Sequence, residues 1–197
     1  MTNTAAVILA GGKSRRMGRD KLELDFGGMS LLESAVKRFN VEFGENVYIS
    51  VGDPEKYAQV KAQRVVDIYP GMGPISGLHA ALSIIPDATD GVFLVAADLP
   101  YASAQAAKHI ITLCGKNEVC VIRLPDGKLE PLFAYYSKSL LDRCEEQIKA
   151  GDYRMSVLID NADVRYVQPQ ELGTYWNEKL IWNINNPDDY ANIRGLI

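Results

Sequence analysis

The sequence changes abruptly from apolar to glycine-rich and cationic near residue 10. Residues 5–9, Ala-Ala-Val-Ile-Leu, form a short apolar run that predicts a buried β-strand. The following segment contains Gly11, Gly12 and Gly18, and glycines allow positive φ angles and a close approach of a ligand to the main chain. Five of the nine residues from 13 to 21 are Lys or Arg. A strand that opens into such a loop predicts an anion site for the phosphates of a nucleoside triphosphate.

Two common phosphate-binding loops do not fit this segment. The P-loop has four residues between its glycines and then Lys-Ser or Lys-Thr, whereas five residues separate Gly12 from Gly18 and Arg19-Asp20 follows. The dinucleotide fingerprint needs a second glycine where Lys13 stands. A different phosphate loop is therefore expected, and a solvated surface loop is the alternative.

Composition limits the class of protein. The chain has 197 residues, of which 47% are hydrophobic, and this predicts one domain over residues 1–197 with a substantial core. The net charge of −4 argues against a nucleic-acid partner. Without an apolar run of membrane-spanning length or a signal peptide, and with three cysteines that lack metal-type spacing, we expect reduced thiols, no membrane association and a cytoplasmic location.

Apolar runs alternate with amphipathic stretches along most of the chain. This alternation predicts a three-layer α/β/α fold with a mostly parallel, Rossmann-like sheet. Strands are expected at 5–9, 47–51, 64–67, 92–97, 119–123, 131–136 and 164–167, and helices at 31–39, 75–85, 104–113, 140–149, 155–159 and after 187. Function in such sheets lies at the carboxyl ends of the parallel strands.

Three charged residues stand at or near those strand ends. Asp98 follows the central strand, where a carboxylate can hold Mg²⁺ together with phosphate oxygens. Asp67 ends an earlier strand and precedes a glycine-rich stretch at 71–78, which would let the backbone approach a base. Lys21 closes the first loop, where it can neutralise charge in phosphoryl transfer. Both aspartates are also compatible with plain turn or cap roles.

Residues 9–21 resemble the signature L-A-G-G-x-S-x-R-M-G-x-D-K of the MobA-type molybdenum cofactor guanylyltransferases, which belong to the nucleotidyltransferase superfamily. Every fixed position of that signature is present. Later segments are also similar to motifs of this family, namely those at 67–78, 96–100, 131–136 and 182–190. The resemblance therefore covers most of the chain.

The resemblance implies transfer of GMP from GTP to molybdenum-bound molybdopterin, which forms a guanine dinucleotide cofactor and pyrophosphate. It implies Mg²⁺ as cofactor, and as partners GTP, molybdopterin and molybdoenzyme maturation proteins. It assigns catalysis to Lys21 and Asp98, and the metal to Asp98. The implied nucleotide site is Leu9, Ala10, Gly11, Gly12, Lys21, Asp67 and Asp98, and the acceptor candidates are Arg16, Asn183 and Asn185.

Two other functions fit the same segments. A cytidylyltransferase or sugar-type nucleotidyltransferase would share the fold, although many cytidylyltransferases carry aspartates where Asn183 and Asn185 stand. A nucleotide-binding module without turnover is the other alternative, and it is disfavoured because both Lys21 and Asp98 are present. The expected strand alternation points Asn183 and Asn185 to one side, toward the site. In the alternative, Asn185 and Asn186 only cap the last helix.

Overall fold

Seven strands and six α-helices make up the regular structure of the computed structural model, which describes residues 3–11 and 20–194. The strands are β1 (Thr4–Leu9), β2 (Val47–Val51), β3 (Gln63–Val66), β4 (Gly91–Ala96), β5 (Val119–Arg123), β6 (Leu129–Ser137) and β7 (Val164–Val167). The helices are α1 (Leu31–Phe43), α2 (Pro74–Ile84), α3 (Ala104–Cys114), α4 (Leu141–Lys149), α5 (Met155–Asp160) and α6 (Pro187–Arg194).

The described strands form one sheet in the order β3-β2-β1-β4-β6-β5-β7. Strand β6 runs antiparallel to both of its neighbours, and the other pairs are parallel. One hydrophobic core contains residues of α1 and α3, and the other contains residues of α2, α4 and α5. This arrangement confirms the predicted three-layer α/β fold with a mostly parallel sheet.

Strand β1 is buried because its side chains enter both cores in alternation. Ala6 and Ile8 belong to one core, and Ala5 and Val7 belong to the other. A strand that is covered on both faces has an apolar sequence throughout, as strands of parallel sheets do. This explains why the apolar run at 5–9 could be predicted as a buried strand from the sequence.

Helix α1 begins at a capping box. The Ser30 hydroxyl accepts a hydrogen bond from the Glu33 backbone N–H at 3.2 Å, and the Glu33 carboxylate accepts from the Ser30 N–H at 2.8 Å. The helix continues past the expected end at residue 39 and stops at Gly44, whose φ is 57°. The sequence pattern underestimated its length because Phe43 still packs in the core.

Four short 3₁₀ helices were not predicted from the sequence, and they span Lys21–Glu23, Lys138–Leu140, Pro169–Tyr175 and Glu178–Ile181. They carry no periodic hydrophobic signal because each makes only one or two turns. Across residues 3–11 and 20–194, no helix has both the length and the apolar character needed to cross a membrane. The three cysteines, Cys114, Cys120 and Cys144, are free and buried, as expected.

Gly77 allows α2 to approach the ends of β1 and β2 closely. A Cβ atom at this position would lie 2.5 Å from Ser50 Oγ and 2.6 Å from Leu9 Cδ2, which is shorter than real contacts. The short helix-to-strand distance brings the first turn of α2 to the carboxyl edge of the sheet. Gly77 is therefore a packing requirement of the fold.

We expect Gly77→Ala to destabilise the protein by about 1–3 kcal/mol because its methyl group would overpack this contact. In an ordinary helix interior, the same change stabilises by roughly 0.5–1 kcal/mol. Gly52→Ala is the control, because a Cβ there meets nothing within 4 Å and Gly52 has no positive φ. Urea unfolding of both variants measures the difference, and a Gly77→Ala protein at least as stable as wild type would contradict the close-packing explanation.

Candidate active site

A cavity of about 670 Å³ opens at the carboxyl ends of β1, β2 and β4. Backbone hydrogen bonds align the ends of these strands. They run from Ala10 N–H to Ser50 C=O at 2.9 Å and from Ala97 N–H to Leu9 C=O at 3.2 Å. The cavity is lined by Leu9, Ala10, Gly11, Lys21, Leu22, Ser50, Gly52, Asp53, Lys56, Asp67, Gly71, Gly73, Pro74, Gly77, Ala96, Asp98 and Leu132. The parallel register thus brings distant segments to one site.

Six of the residues predicted for the nucleotide site line this cavity, and they are Leu9, Ala10, Gly11, Lys21, Asp67 and Asp98. Gly12 and Arg16 lie outside the described residues, as do Lys13, Arg15 and Arg19 of the same loop. The structure therefore places the two ends of the predicted phosphate loop at the cavity. The individual roles of these residues stay predictions.

The Lys21 ammonium joins two segments that are far apart in sequence. Its Nζ atom lies 2.5 Å from Asp98 Oδ2 and donates a hydrogen bond to the Ile184 carbonyl at 3.1 Å. The Ile184 backbone N–H in turn donates to the Asp98 carbonyl at 3.0 Å. Both charged side chains retain under one-fifth of their exposure, at 19% for Lys21 and 18% for Asp98. This reduced exposure limits the solvent screening of the ion pair.

A second ionic cluster, missed from sequence, fixes the backbone that carries Lys21. Asp20 caps the 3₁₀ turn by accepting from the Leu22 N–H at 3.1 Å. Its Oδ2 atom also accepts from the Tyr57 hydroxyl at 2.8 Å and lies 2.6 Å from Lys56 Nζ. Burial alone would raise the pKa of Asp20, but these hydrogen bonds outweigh burial and lower it.

The Arg38 side chain of α1 makes hydrogen bonds to the turn that follows β4. Its guanidinium donates to the Ala102 carbonyl at 3.2 Å, to the Leu99 carbonyl at 3.3 Å and to Ser34 Oγ at 2.8 Å. Burial lowers the pKa of Arg38 to about 10, which still leaves it charged at neutral pH. Arg38 therefore positions the turn that begins with Asp98, a role without a sequence motif.

Asp67 lines the cavity directly after the end of β3. Its carboxylate accepts a hydrogen bond from Ser50 Oγ at 3.1 Å, and its backbone N–H donates to the Val51 carbonyl at 3.1 Å. Burial raises the pKa of Asp67, and the Ser50 hydrogen bond only partly opposes this. A partly desolvated carboxylate beside glycine backbone can accept hydrogen bonds from N–H groups of a ligand.

Gly11 differs from the expectation in one respect. Its φ is not positive, so glycine is not needed there for a left-handed backbone. Among the described residues beyond its chain neighbours, none has an atom within 4 Å of a Cβ built on Gly11, although the residue lines the cavity. The absent side chain thus leaves space in the cavity, in line with the expected close approach of a ligand to the main chain.

The segment with Asn183 and Asn185 is not a strand, contrary to the sequence prediction. Residues 182–186 are irregular because the Ile184 N–H bonds to Asp98 instead of to a neighbouring strand. Both asparagines are exposed on either side of buried Ile184, and neither lines the cavity. The neighbouring Asn186 caps α6, since its Oδ1 accepts from the Asp189 N–H at 2.9 Å.

The donor set suits a metal that is held mainly by a substrate. The described part of the chain contains no group of three or more His, Cys, Asp or Glu residues that could hold a metal ion. Asp98 offers one carboxylate at the cavity, beside the Lys21 ammonium. Mg²⁺ is commonly bound by one or two carboxylates plus substrate phosphates, so Asp98 fits such an ion.

Comparisons with known proteins agree with this geometry. Residues 6–166 match the family described as MobA-like NTP transferase domain. The chain is 33% identical over 197 residues to a probable molybdenum cofactor guanylyltransferase of Thermococcus sibiricus, which covers 97% of each chain. It is 28% identical over 200 residues to a protein of the same description from Geobacillus sp., covering 98% of this chain and 99% of that relative.

Solved structures show the same fold. The crystal structure of molybdopterin-guanine dinucleotide biosynthesis protein A from Archaeoglobus fulgidus superposes with a TM-score of 0.83 at 24% identity, covering 98% of this chain and 97% of that one. The crystal structure of a protein from Aquifex aeolicus gives a TM-score of 0.76 at 33% identity, covering 94% of both chains. The fold around the cavity is therefore shared by these proteins.

We expect Asp67→Asn to raise the stability of the ligand-free protein at pH 7. The raised folded-state pKa means that ionisation of Asp67 costs stability as the pH rises from below the usual value of 3.8. The amide oxygen can still accept from Ser50, so the advantage of the variant should appear above pH 4 and vanish below it. Thermal unfolding between pH 3 and 8 measures this.

The control for that experiment is Asp126→Asn, in an exposed turn where the Lys128 side chain lowers the pKa of Asp126. This variant should gain no stability at pH 7. A melting temperature of Asp67→Asn at or below that of wild type at pH 7 would contradict the role of burial at Asp67.

Proposed function

The chain belongs to the MobA-like NTP transferase domain family and is a nucleotidyltransferase, and from that premise we propose that it transfers GMP from GTP to molybdenum-bound molybdopterin. The products are molybdopterin guanine dinucleotide and pyrophosphate. The observation that carries the proposal is the meeting of Lys21 and Asp98 at a glycine-lined cavity. The relatives described as probable molybdenum cofactor guanylyltransferases supply the choice of GTP and molybdopterin.

The glycine-rich side of the cavity suits the nucleotide. Gly11, Gly71 and Gly73 expose backbone there, and Asp67 can accept hydrogen bonds from the N–H groups of guanine. Lys21 stands where the β1 loop ends, so its ammonium can neutralise charge on phosphate oxygens during transfer. In this proposal, the α-phosphorus of GTP lies toward the Asp98 side of the cavity.

The reaction needs no protein nucleophile. The terminal phosphate of molybdopterin attacks the α-phosphorus of GTP in line, a P–O bond forms, and the bond to the departing pyrophosphate breaks. Holding the two substrates together supplies much of the rate, and Lys21 supplies charge stabilisation. Asp98 would hold Mg²⁺, which would neutralise further charge on the triphosphate when bound.

Three wider expectations from the sequence remain proposals. All 197 residues are proposed to form one nucleotidyltransferase domain, which is supported by the sheet from β1 to β7 and by relatives matched over nearly their full length. The cytoplasmic location and the molybdoenzyme maturation proteins as partners stay predictions. Each would be tested in cells of the source organism.

A pyrophosphate-release assay with GTP, CTP, ATP and UTP, each with and without molybdenum-bound molybdopterin, tests the proposed function. We expect release that depends on both GTP and the acceptor. Lys21→Ala should lower kcat by about 10²–10³-fold because it removes transition-state charge stabilisation. The control is Lys128→Ala in an exposed turn, which should match wild type. Equal release with CTP would favour a cytidylyltransferase, and no release at all would favour a binding module.

Asp98→Asn should raise the Mg²⁺ concentration needed for half-maximal activity by at least tenfold. The amide keeps the shape of the side chain but loses the charge that a hard cation requires. An Mg²⁺ titration of pyrophosphate release measures this, with Asp126→Asn as the matched control. An unchanged midpoint and maximum would make Asp98 a turn residue only.

Gly11→Ala should raise the KM for GTP while leaving stability within about 0.5 kcal/mol of wild type, because its methyl group fills ligand space and clashes with none of the residues that the structure describes. The KM for CTP should rise less, since a pyrimidine is smaller than guanine. Gly52→Ala, also on the cavity wall with no positive φ, is the control for a methyl group elsewhere. Equal KM increases for both nucleotides would refute a role of Gly11 in base choice.

A further inference from the structure

A second groove of about 620 Å³ lies beside the candidate active site and shares none of its lining residues. It is lined by Tyr101, Asn177, Glu178, Lys179 and Trp182. Two of these five residues are aromatic and one is a lysine. Trp182 begins the segment at 182–190 that resembles a family motif, but neither the motifs nor the comparisons assign a role to the other four lining residues.

The groove adjoins the Asp98 end of the active site. Tyr101 follows Asp98 by three residues, and Trp182 precedes Ile184 by two. Ile184 is bonded both to the Asp98 carbonyl, at 3.0 Å, and to Lys21 Nζ, at 3.1 Å. Two residues span at most about 7 Å, so the Trp182 backbone lies within roughly that distance of the Ile184 backbone. A molecule with its phosphate at this pair could place its other end in the groove.

The walls of the groove are suited to a flat, hydrogen-bonding ring. Lys179 Nζ lies 5.7 Å from the centre of the Tyr101 ring and 5.8 Å from the centre of the Trp182 ring. The Trp182 side chain is exposed, at 42%. Aromatic faces stack well on heteroaromatic rings, and an ammonium donates to ring nitrogen or carbonyl acceptors.

Tyr101 contributes its ring to the groove, and not its hydroxyl group. The hydroxyl oxygen is buried, so a ligand in the groove would contact the ring. The Tyr101 ring is held in place from the core side by Phe26, with ring centres 6.3 Å apart. This wall of the groove is therefore preformed.

We propose that this groove binds the planar pterin ring of the acceptor while the acceptor's phosphate lies at Lys21 and Asp98. The inference rests on the proposed function for the identity of the acceptor. Trp182 stacks on the ring, and Lys179 donates to its edge. GTP is not expected to occupy the groove, because the glycine-lined cavity already accommodates the nucleotide.

The kinetic test compares Trp182→Ala with Tyr153→Ala, which removes a similarly exposed aromatic side chain elsewhere. We expect Trp182→Ala to raise the KM for molybdopterin by about tenfold, as loss of one stacking partner does, and to leave the KM for GTP unchanged. Trp182→Phe should keep most of the affinity because it retains an aromatic face. Tyr153→Ala should change neither constant.

A binding test works without turnover. The chain has two tryptophans, Trp176 and Trp182, so a Trp176→Phe variant reports on Trp182 alone. The probe is phosphorylated 6-hydroxymethylpterin, which should quench Trp182 fluorescence in a saturable way. Lys179→Met should weaken that binding several-fold while leaving Mg²⁺–GTP affinity unchanged.

The outcomes separate this inference from the proposed function. If wild type releases no pyrophosphate with GTP and molybdopterin but the pterin probe quenches Trp182, the proposed function fails and the ring subsite stands. If wild type is active but Trp182→Ala has an unchanged molybdopterin KM, the subsite is refuted. A Trp182→Ala defect confined to delivery of the product to a recipient molybdoenzyme would also overturn it, in favour of a protein-docking surface. If the pterin probe does not quench Trp182 fluorescence in a saturable way, the ring subsite is refuted, whether or not the wild-type protein releases pyrophosphate.

Discussion

The contact of Lys21 with Asp98 and Ile184 is the interaction on which the rest of the site depends. Asp98 is 77 positions from Lys21, and Ile184 is 163 positions away. The contact connects the end of the glycine loop, the turn after the central strand and an irregular segment near residue 184. Because the Ile184 N–H also bonds to Asp98, these three pieces cannot shift independently. The rim of the cavity is thus defined by charge and main-chain hydrogen bonds together.

Two surroundings of different character meet at this ion pair. On one side, glycine backbone and the α2 terminus form a wall with little side-chain bulk, which lets main-chain atoms approach a ligand. On the other, Tyr101 and Trp182 provide aromatic faces. A dinucleotide product has two planar rings joined through phosphates. One ring would suit the glycine-lined cavity and the other would suit the aromatic groove. The phosphates would lie between the two regions, where Lys21 and Asp98 stand.

The sequence predicts the ends of the strands well because each strand is a short apolar run of consecutive residues. Asp98 directly follows an apolar run, Lys21 ends the loop that follows another, and parallel packing must bring the ends of such runs together. The contacts that hold these residues in place were not predictable, since the Asp20 cluster and the bonds of Arg38 join segments with no shared pattern. The segment around Ile184 was misread as a strand for the same reason. Its alternation is real, but its N–H group bonds to a turn and not to a neighbouring strand.

The contact of Lys21 with Ile184 also has a consequence for protein synthesis. A ribosome adds about 5–20 residues per second, so roughly ten to thirty seconds pass between the appearance of Lys21 and that of Ile184. Once Asp98 has been made, 77 residues after Lys21, the Lys21 ammonium can meet its carboxylate but not yet the Ile184 carbonyl that completes the rim. The nascent chain can therefore form much of its sheet well before it has a finished site. Activity should then appear late and abruptly during translation, and shortened chains ending before residue 184 should lack it.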